Sequence, residues 1–329
     1  MNKSKSTPNY LRYIAIILAI ISVASIALFG LDMWDRKQGI FEDDEIETLS
    51  DNITYNGKEY VLKNNIETML VLGLDTTDSE VSFSYNNDKQ ADFLMLFVID
   101  NTNKTCSAIQ VNRDTMVDID ILGVAGDKVG VVNKQIALAH TYGNGSEVSC
   151  RNTARAVSRV LMNMDIDHFM SVTMDAVPAL NDMVGGVSVE ILEDFSAVDS
   201  SLVKGETITL TGEQALTYIR ARQGMDDQTH SNRMNRQRQY LDALFEKSQQ
   251  CSQETEGFIA NAITNISKYM ISDCTANKLE SLLKKISGYT LKEVDDFEGE
   301  YKKGDEYMEF YLDEDSVLNI VIDAFYEEK

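Results

Sequence analysis

Histidine is nearly absent from this sequence of 329 residues, which contains only His140, His168 and His230. None of the three lies near a serine in a nucleophile turn, so the sequence gives no sign of a Ser-His-Asp hydrolase. A zinc site is equally unsupported, because structural zinc needs clustered histidine and cysteine ligands. We therefore interpret each histidine as structural or exposed rather than catalytic.

Basic charge is also scarce. The chain carries 30 Lys and Arg against 53 Asp and Glu, a formal net charge of -23 at pH 7. A protein that binds nucleic acid needs a broad basic surface to neutralise phosphates. The charge balance therefore excludes nucleic acid as a partner.

Five of the eleven arginines nevertheless fall within residues 220–238. They are Arg220, Arg222, Arg233, Arg236 and Arg238. The planar guanidinium is the side chain best shaped for bidentate contact with phosphate oxygens, so the cluster indicates an anion site. A solvated basic helix face is the alternative, and it is the usual meaning of a charge run.

Residues 13–31 form the one long uncharged run, and as a helix it would span about 28 Å, enough to cross a bilayer. Basic residues precede it and acidic residues follow: Lys3, Lys5 and Arg12, then Asp32 and Asp35. The positive-inside rule then predicts a cytoplasmic N-terminus and an exterior remainder. A cleaved signal peptide is the alternative, but its apolar region is typically only about 7–15 residues long.

This organisation predicts four segments: a cytoplasmic N-terminus (1–12), a single-pass anchor (13–31), an acidic stalk (32–59) and one large exterior domain (60–329). Four cysteines in an exported chain could form up to two disulfides, with three possible pairings: Cys106, Cys150, Cys251 and Cys274. Their spacing does not choose among these pairings. Cys106 lies in an expected strand, where it could instead be a small core residue.

Three short continuous apolar runs, 68–74, 92–99 and 105–111, predict neighbouring strands buried on both faces, and hence a sheet covered by helices. Helical spacing follows in 152–164, then strand-like runs at 169–174 and 187–191.

The arginine cluster falls on two predicted helices. The first, 212–220, ends with Arg220 and Arg222 close behind each other, and the second begins near Ser231 as its N-cap. On the second helix Met234, Leu241, Leu244 and Phe245 form a predicted buried stripe, whereas Arg233, Arg236, Gln237 and Tyr240 share another face. Two arginine pairs on adjoining elements would form a convergent clamp.

Eight short motifs occur in a fixed order along residues 60–325. They are Val-Leu-Gly-Leu-Asp75, Ala91-Asp92, Val-Asn-Arg113-Asp114-Thr115, Ala139-His-Thr-Tyr142-Gly143, Asn181-Asp-Met-Val-Gly185-Gly186, Leu210-Thr-Gly212-Glu-Gln-Ala-Leu, Tyr218-Ile-Arg220-Ala-Arg222 and Arg233-Met-Asn-Arg236-Gln237. In this order, behind one N-terminal anchor, the chain resembles the LytR-CpsA-Psr proteins of the bacterial cell envelope.

The resemblance implies an α/β/α sandwich with a central mixed sheet and a long apolar groove for a polyprenyl chain. It also implies a phosphotransferase that moves a glycopolymer, such as wall teichoic acid or capsule, as its sugar phosphate from a polyprenyl diphosphate carrier to a peptidoglycan hydroxyl. A non-catalytic polyprenyl-phosphate binder, acting as an envelope regulator on the same fold, is the alternative, because a fold alone does not secure chemistry.

Site residues follow from the same resemblance. Asp75 and Asp92 match the magnesium-holding carboxylates, and with Arg113 they are the implied catalytic residues. The implied diphosphate contacts are Arg113, Arg220, Arg222, Arg233 and Gln237, with Arg236 in the same motif. Where the family usually carries an arginine this chain has Gln90, so either the adjacent Lys89 substitutes, or the substrate binds more weakly, or the preferred polymer differs.

Overall fold

The computed structural model describes residues 49–76, 87–220, 230–304 and 307–329, which belong to one compact unit that starts at Thr48. The anchor run 13–31, most of the predicted stalk and Arg222 lie outside the described residues. In the ranges that are described, no helix combines the length and the apolar character needed to span a membrane.

The centre of the fold is a six-stranded sheet with the order β11-β8-β3-β4-β5-β12. The strands of the described residues are β1 (Asn52–Tyr55), β2 (Lys58–Leu62), β3 (Ile66–Leu74), β4 (Ala91–Asp100), β5 (Thr105–Val111), β6 (Met116–Leu122), β7 (Lys128–Gln135), β8 (His168–Thr173), β9 (Val187–Glu190), β10 (Thr207–Leu210), β11 (Met270–Ser272), β12 (Thr290–Asp296), β13 (Gly299–Lys303), β14 (Met308–Leu312) and β15 (Tyr326–Glu328).

The sheet is mixed: β3 pairs antiparallel with β4 and parallel with β8, while β5 pairs antiparallel with β4 and parallel with β12. The three continuous apolar runs of the sequence are β3, β4 and β5, and they are neighbours as predicted. Such runs arise because both faces of these strands are covered.

The helices are α1 (Glu147–Val160), α2 (Ala176–Met183), α3 (Gly212–Arg220), α4 (His230–Glu254), α5 (Phe258–Ile266), α6 (Ala276–Gly288) and α7 (Glu314–Phe325), with 3₁₀ turns at Ile136–Thr141 and Ser267–Tyr269. Alternate strand residues bury against different helices. Leu70 and Leu96 pack in one core with α1 and α7, whereas Met69 and Cys106 pack in another with α5 and α6. Helices thus cover both faces of a central mixed sheet, as the fold prediction required.

A third core lies beside the sheet. The hairpin β9–β10 packs with α3 and α4 around Phe195 and Tyr218, whose ring centroids are 5.3 Å apart. Gly212 begins α3 against α2, where an added Cβ would lie 2.7 Å from the Cα of Pro178. This position accepts only glycine because the backbones of the two helices meet there.

The boundary of the predicted stalk is corrected by the structure. β1 and the first two residues of β2 lie within 52–59, the end of the predicted stalk, and β2 pairs with the C-terminal strand β15. Tyr326 at the start of β15 is buried, and its hydroxyl donates to the carbonyl of Ser50. The acidic residues of the stalk precede these strands, and Glu59 is the one acidic residue within 52–62.

All four cysteines are free thiols in this structure. Cys106 is fully buried in β5, as a core residue would be, and burial raises its pKa to about 12. The alternative in which Cys106 is a small apolar side chain therefore fits its position.

Candidate active site

Asp92 occupies a β-bulge. Gly73 of β3 pairs with Phe93 and the next residue, Leu74, pairs with Ala91, so Asp92 is the extra residue of β4. A bulge of this kind breaks the alternation of side chains and re-aims one of them. It sits where β3 ends and β4 begins, and the amide of Asp75 is 3.4 Å from the carbonyl oxygen of Gln90. The two aspartates therefore lie at the same edge of the sheet.

Arg113 reaches this edge from the neighbouring strand, because β5 runs antiparallel to β4 and ends beside its start. Its Nη1 forms an ion pair with Asp92 Oδ1, and its Nη2 donates to Gln90 Oε1 at 2.8 Å. Its Nε lies 3.6 Å from Asp114 Oδ1. The Arg113 guanidinium thus lies between the side chains of Asp92, Gln90 and Asp114.

Arg233 approaches the same carboxylate from α4. Its Nη1 is 3.4 Å from Asp92 Oδ2, and the arginine is only 6% exposed. Asp92 therefore lies between two guanidinium groups, one on each oxygen. With Asp114 beside Arg113, the edge carries two guanidinium groups and two carboxylates. A phosphate bound here would meet guanidinium donors that these carboxylates already hold in place.

Asp75 meets the end of α3. Its Oδ1 lies 2.9 Å from Arg220 Nε, while the Arg220 side chain is 46% exposed. The approach is not aligned as a hydrogen bond, and Oδ1 is a buried atom without a hydrogen-bond partner among the described residues. Asp75 therefore keeps an acceptor oxygen for a further donor or cation.

The donor set at this edge fits a hard divalent cation. Mg²⁺ prefers carboxylate oxygens, one or two of them, and completes its shell with substrate phosphate and water. Asp75 Oδ1 faces one guanidinium, that of the half-exposed Arg220, and has no aligned hydrogen bond among the described residues. Both oxygens of Asp92 face guanidinium groups that are largely buried. Asp75 is thus the better placed of the two predicted metal ligands, and Asp92 could join it by sharing an oxygen.

Arg236 is not brought to this cluster. Its Nη1 pairs with Glu193, its Nε donates to the carbonyl of Tyr218 at 3.0 Å, and its guanidinium stacks 5.0 Å from the Phe195 ring centroid. Burial lowers the pKa of Arg236 to about 10, which still leaves it charged at pH 7. These contacts correct its assignment as a diphosphate ligand: Arg236 fixes α4 to the third core.

Arg238 also points elsewhere, toward Gln110 Oε1 at 3.1 Å and Asp296 Oδ2 at 2.8 Å. Of the five clustered arginines, Arg220 and Arg233 contact the aspartates, and Arg222 lies outside the described residues. Among the described residues, the arginines that contact the two aspartates are therefore not two adjoining pairs. They are Arg113 after β5, Arg220 at the end of α3 and Arg233 on α4.

Gln90 takes a definite part in this set through its hydrogen bond to Arg113. The adjacent Lys89 is buried and lines a separate pocket of about 110 Å³ with Gly145, Ser171 and Thr173. Gln90 therefore contacts Arg113, whereas Lys89 lines a separate pocket.

The sequence analysis quoted Asp114 in a motif but gave it no role. Asp114 is 1% exposed, accepts from Gln135 Nε2 at 2.9 Å, and its backbone carbonyl accepts from the Phe310 amide at 2.9 Å. It thereby fixes the loop that carries Arg113. The sequence could have indicated this role, because Asp114 is an acidic residue directly after Arg113 in a motif at the end of a strand.

An apolar pocket of about 310 Å³ opens beside the cluster. Gly73 and Phe93 of the sheet line it, as do Leu241, Leu244 and Phe245 of α4, which the sequence analysis expected as a packed stripe. Gln237 also lines it and follows Arg233 by one helical turn, so α4 connects the pocket to the charged edge. These three residues are half-buried, and Leu244 and Phe245 also pack against the cores, so this part of the predicted stripe faces the interior and forms a wall of the pocket.

His140 is fully buried, and its Nδ1 lies 2.8 Å from the carbonyl oxygen of Lys89. Burial lowers its pKa to about 4, so the ring is neutral at pH 7. The interpretation of this histidine as structural agrees with its position. His168, Asp273 and Cys274 form a separate small cluster within 4.8 Å at the opposite end of β8.

Comparison with known proteins places this arrangement in a family. The LytR_cpsA_psr family model matches residues 25–322. The Enterococcus faecalis polyisoprenyl-teichoic acid--peptidoglycan teichoic acid transferase TagU is 29% identical over 238 residues, 71% of this chain and 70% of that protein.

Solved structures share the fold. Bacillus subtilis TagV aligns with a TM-score of 0.59 at 23% identity, over 80% of this chain and 97% of that one. TagT bound to LIIa-WTA aligns with a TM-score of 0.58 at 21% identity, over 79% of this chain and 89% of that one. Since the family model spans almost the whole chain and the charged edge contains the motif residues Asp75, Asp92 and Arg113, the chain belongs to the LytR-CpsA-Psr family.

Proposed function

We propose that this protein transfers a glycopolymer, as its sugar phosphate, from a polyprenyl diphosphate carrier to peptidoglycan. The observation that carries the proposal is the contact of Asp92 with both Arg113 and Arg233 beside an apolar pocket of about 310 Å³. A polyprenyl diphosphate has the same two parts, an apolar chain and a doubly anionic head.

The relatives support the choice of substrates. The Enterococcus faecalis relative is named for transfer of teichoic acid to peptidoglycan, and a structural relative was solved with LIIa-WTA bound. We infer a similar anionic glycopolymer as the donor for this chain, and a hydroxyl of peptidoglycan as the acceptor.

In the proposed reaction the acceptor oxygen attacks the phosphorus that carries the sugar. A new oxygen–phosphorus bond forms as the bond from that phosphorus to polyprenyl phosphate breaks, and the hydroxyl proton is released to solvent. Phosphoryl transfer of this kind depends on positioning and on neutralising charge at the phosphoryl oxygens. Arg113, Arg220 and Arg233 supply fixed positive groups for that purpose, and Gln90 orients Arg113.

Asp75, with Asp92 as a second ligand, would hold a Mg²⁺ ion that neutralises charge on the diphosphate. The Oδ1 atom of Asp75, which pairs with Arg220 but accepts no aligned hydrogen bond among the described residues, supports this role. Asp92 meanwhile keeps both buried arginines in place when no substrate is bound.

The proposed location follows from residues 13–31, an uncharged run flanked by basic and then acidic residues. We infer a single-pass membrane protein with a cytoplasmic N-terminus and an exterior domain. An anchored exterior domain can reach a lipid carrier in the same membrane.

A second candidate function is a polyprenyl-phosphate-binding regulator without catalysis. Gln90 favours it, because an amide adds no positive charge where the family usually carries an arginine. The retained carboxylate Asp75, whose Oδ1 accepts no aligned hydrogen bond among the described residues, favours the enzyme instead.

The test is release of polyprenyl phosphate from a polyprenyl diphosphate sugar by the full chain in detergent, with and without Mg²⁺. We expect Mg²⁺-dependent release by the wild type and a loss of at least about a hundredfold in Asp75→Ala. Tight binding of polyprenyl phosphate without any release would instead support the regulator.

A further inference from the structure

A second cleft, of about 420 Å³, is lined by residues next to Arg113 in sequence, among them Asn112 and Gln110. Its lining includes Gln110, Asn112, Asn235, Asp296, Tyr301 and Phe310. The apolar pocket is built on β3, β4 and β8, whereas this cleft is built on β5 and β12, the opposite edge of the sheet. We call it the hairpin cleft, because β13 and β14 form one of its walls.

The hairpin cleft starts at the charged edge. Asn112 precedes Arg113, and its Nδ2 donates to the hydroxyl of Tyr301 at 2.6 Å. Asn235 lies on α4, two residues after Arg233, and is exposed. A molecule in the cleft would therefore lie beside any diphosphate held by the arginines.

The lining combines aromatic rings with amides. Tyr301 and Phe310 have ring centroids 4.8 Å apart, and the Phe310 ring packs so closely on Gly299 that an added Cβ would lie 2.7 Å from its Cζ. Asn112, Asn235 and Gln110 offer both donors and acceptors. Sugars need this combination, since their hydroxyls donate and accept while their C–H faces pack on rings. The volume is also within the range of about 300–1,000 Å³ that small-molecule sites occupy.

The charge of the cleft selects between two kinds of sugar. Asp296 and Glu298 line it, and Arg238 pairs with Asp296. The described lining thus carries no excess of positive charge that would attract a phosphate-rich donor polymer. An uncharged sugar is the better match.

We propose that the hairpin cleft binds an N-acetylhexosamine unit of the acceptor, the glycan strand of peptidoglycan; this inference rests on the proposed function. The leaving polyprenyl phosphate departs toward the apolar pocket, and phosphoryl transfer requires the attacking oxygen to be roughly in line on the opposite side. The hairpin cleft is built on the other edge of the sheet from the apolar pocket, and we place the acceptor hydroxyl there.

The experiment compares two Michaelis constants for the full chain in detergent, one for the donor and one for a peptide-free peptidoglycan glycan fragment. Tyr301→Leu and Asn235→Ala should each raise the acceptor KM about tenfold, and the donor KM less than twofold. Tyr311→Leu, on the other face of the same hairpin, and Asn261→Ala, on an exposed face of α5, are matched controls that should change neither constant. Tyr301→Phe should restore most of the acceptor affinity, because it keeps the ring.

A rise in the donor KM instead of the acceptor KM in Tyr301→Leu and Asn235→Ala would assign the cleft to the donor sugar and overturn the proposal. The proposal would also be overturned if both of these variants matched the wild type in both constants. If the wild type consumes no donor at all, the proposed function fails separately. Binding of chitotetraose, followed by titration calorimetry, then decides the cleft: loss in Asn235→Ala but not in Asn261→Ala supports it, and no binding by the wild type overturns it.

Discussion

Asp92 Oδ2 and Arg233 Nη1 are 3.4 Å apart although 141 residues of sequence separate them. The contact joins the start of β4 to the first turn of α4, and it is buried on both sides. Since Arg113 pairs with the other oxygen of the same carboxylate, Asp92 contacts two of the arginines that we propose bind phosphate.

Replacing Asp92 with asparagine should therefore damage both folding and activity. The amide keeps the shape but removes a buried carboxylate that Arg113 and Arg233 both contact, and breaking a buried ion pair typically costs about 3–5 kcal/mol. We expect a lower thermal midpoint and a loss of phosphotransfer of at least about a hundredfold. Asp127→Asn, at an exposed loop position, is the matched control and should equal the wild type in both measurements. An Asp92→Asn protein with unchanged Mg²⁺ dependence would contradict a metal role for this residue.

Asp75→Asn should separate the effect on thermal stability from the effect on phosphotransfer. Because Asp75 is partly exposed and its Oδ1 accepts no aligned hydrogen bond among the described residues, the thermal midpoint should change little. The rate should fall sharply, and added Mg²⁺ should no longer increase it. Equal Mg²⁺ dependence in Asp75→Asn and the wild type would exclude Asp75 as a ligand.

Arg220→Ala tests the anion site with little structural damage, since its side chain is half exposed. Losing one charge-assisted contact of about 1.5–3 kcal/mol should lower transfer roughly ten- to hundredfold at an unchanged thermal midpoint. Lys284→Ala, 61% exposed on α6, should behave as the wild type. Lys285 cannot serve as a second control, because it pairs with Glu67, whose carboxyl also pairs with Lys278. If the turnover of Arg220→Ala equalled that of Lys284→Ala, Arg220 would be only a solvent-exposed residue at the end of α3 and not part of an anion site.

Gln90→Arg should keep or increase the rate of transfer. An arginine there adds positive charge at the diphosphate but removes the acceptor that now orients Arg113. We expect a lower donor KM together with a small fall in thermal midpoint. Gln90→Leu, which loses the hydrogen bond and adds no charge, should raise the donor KM. If both variants lost activity to the same extent, orientation of Arg113 would outweigh charge at this position.

The stability of the fold should fall in mild acid partly because of His140. Burial lowers its pKa from 6.5 to about 4, so the unfolded chain takes up a proton at a higher pH than the folded one. The stabilisation from keeping this ring neutral is present above about pH 6.5 and is lost between pH 6.5 and 4, by up to about 3 kcal/mol. Chemical denaturation at several pH values should show this slope, and His140→Gln should flatten it. Parallel curves for the two proteins would contradict the argument.

Filling the apolar pocket should block the lipid and spare the fold. Leu244→Trp adds bulk to the pocket wall, so polyprenyl phosphate that co-purifies with the wild type, detected by native mass spectrometry, should disappear. Val124→Trp, at a residue that is 87% exposed, should retain the lipid. Lipid retained by both variants would mean that the chain binds elsewhere.

The strands of the sheet could be predicted because a strand covered on both faces must be apolar throughout, and β3, β4 and β5 are. The bulge at Asp92 could not, since it depends on the register of β3 against β4 and leaves no mark on composition. Motif resemblance found the residues that meet at the charged edge. It failed for Arg236, because the buried partner Glu193 lies 43 residues earlier and no local pattern joins the two.

Strands β1 and β2 were missed for another reason. None of their residues is fully buried, and they follow an acidic stretch, so composition favoured a stalk that included β1. Their pairing with β15 is a contact between the two ends of the described chain, which the sequence of either end alone does not reveal.

Helix α4 carries Arg233 in its first turn and Leu241 and Leu244 two to three turns further along. A single helix therefore forms part of the charged edge and part of the apolar pocket. In the proposed function, the head and tail of a carrier lipid would therefore be bound as a chelate: binding of one end holds the other near its site at a high effective concentration. Neither free diphosphate nor a bare isoprenoid alcohol gains this advantage. The protein should thus discriminate the intact carrier from both fragments by far more than either contact alone would allow.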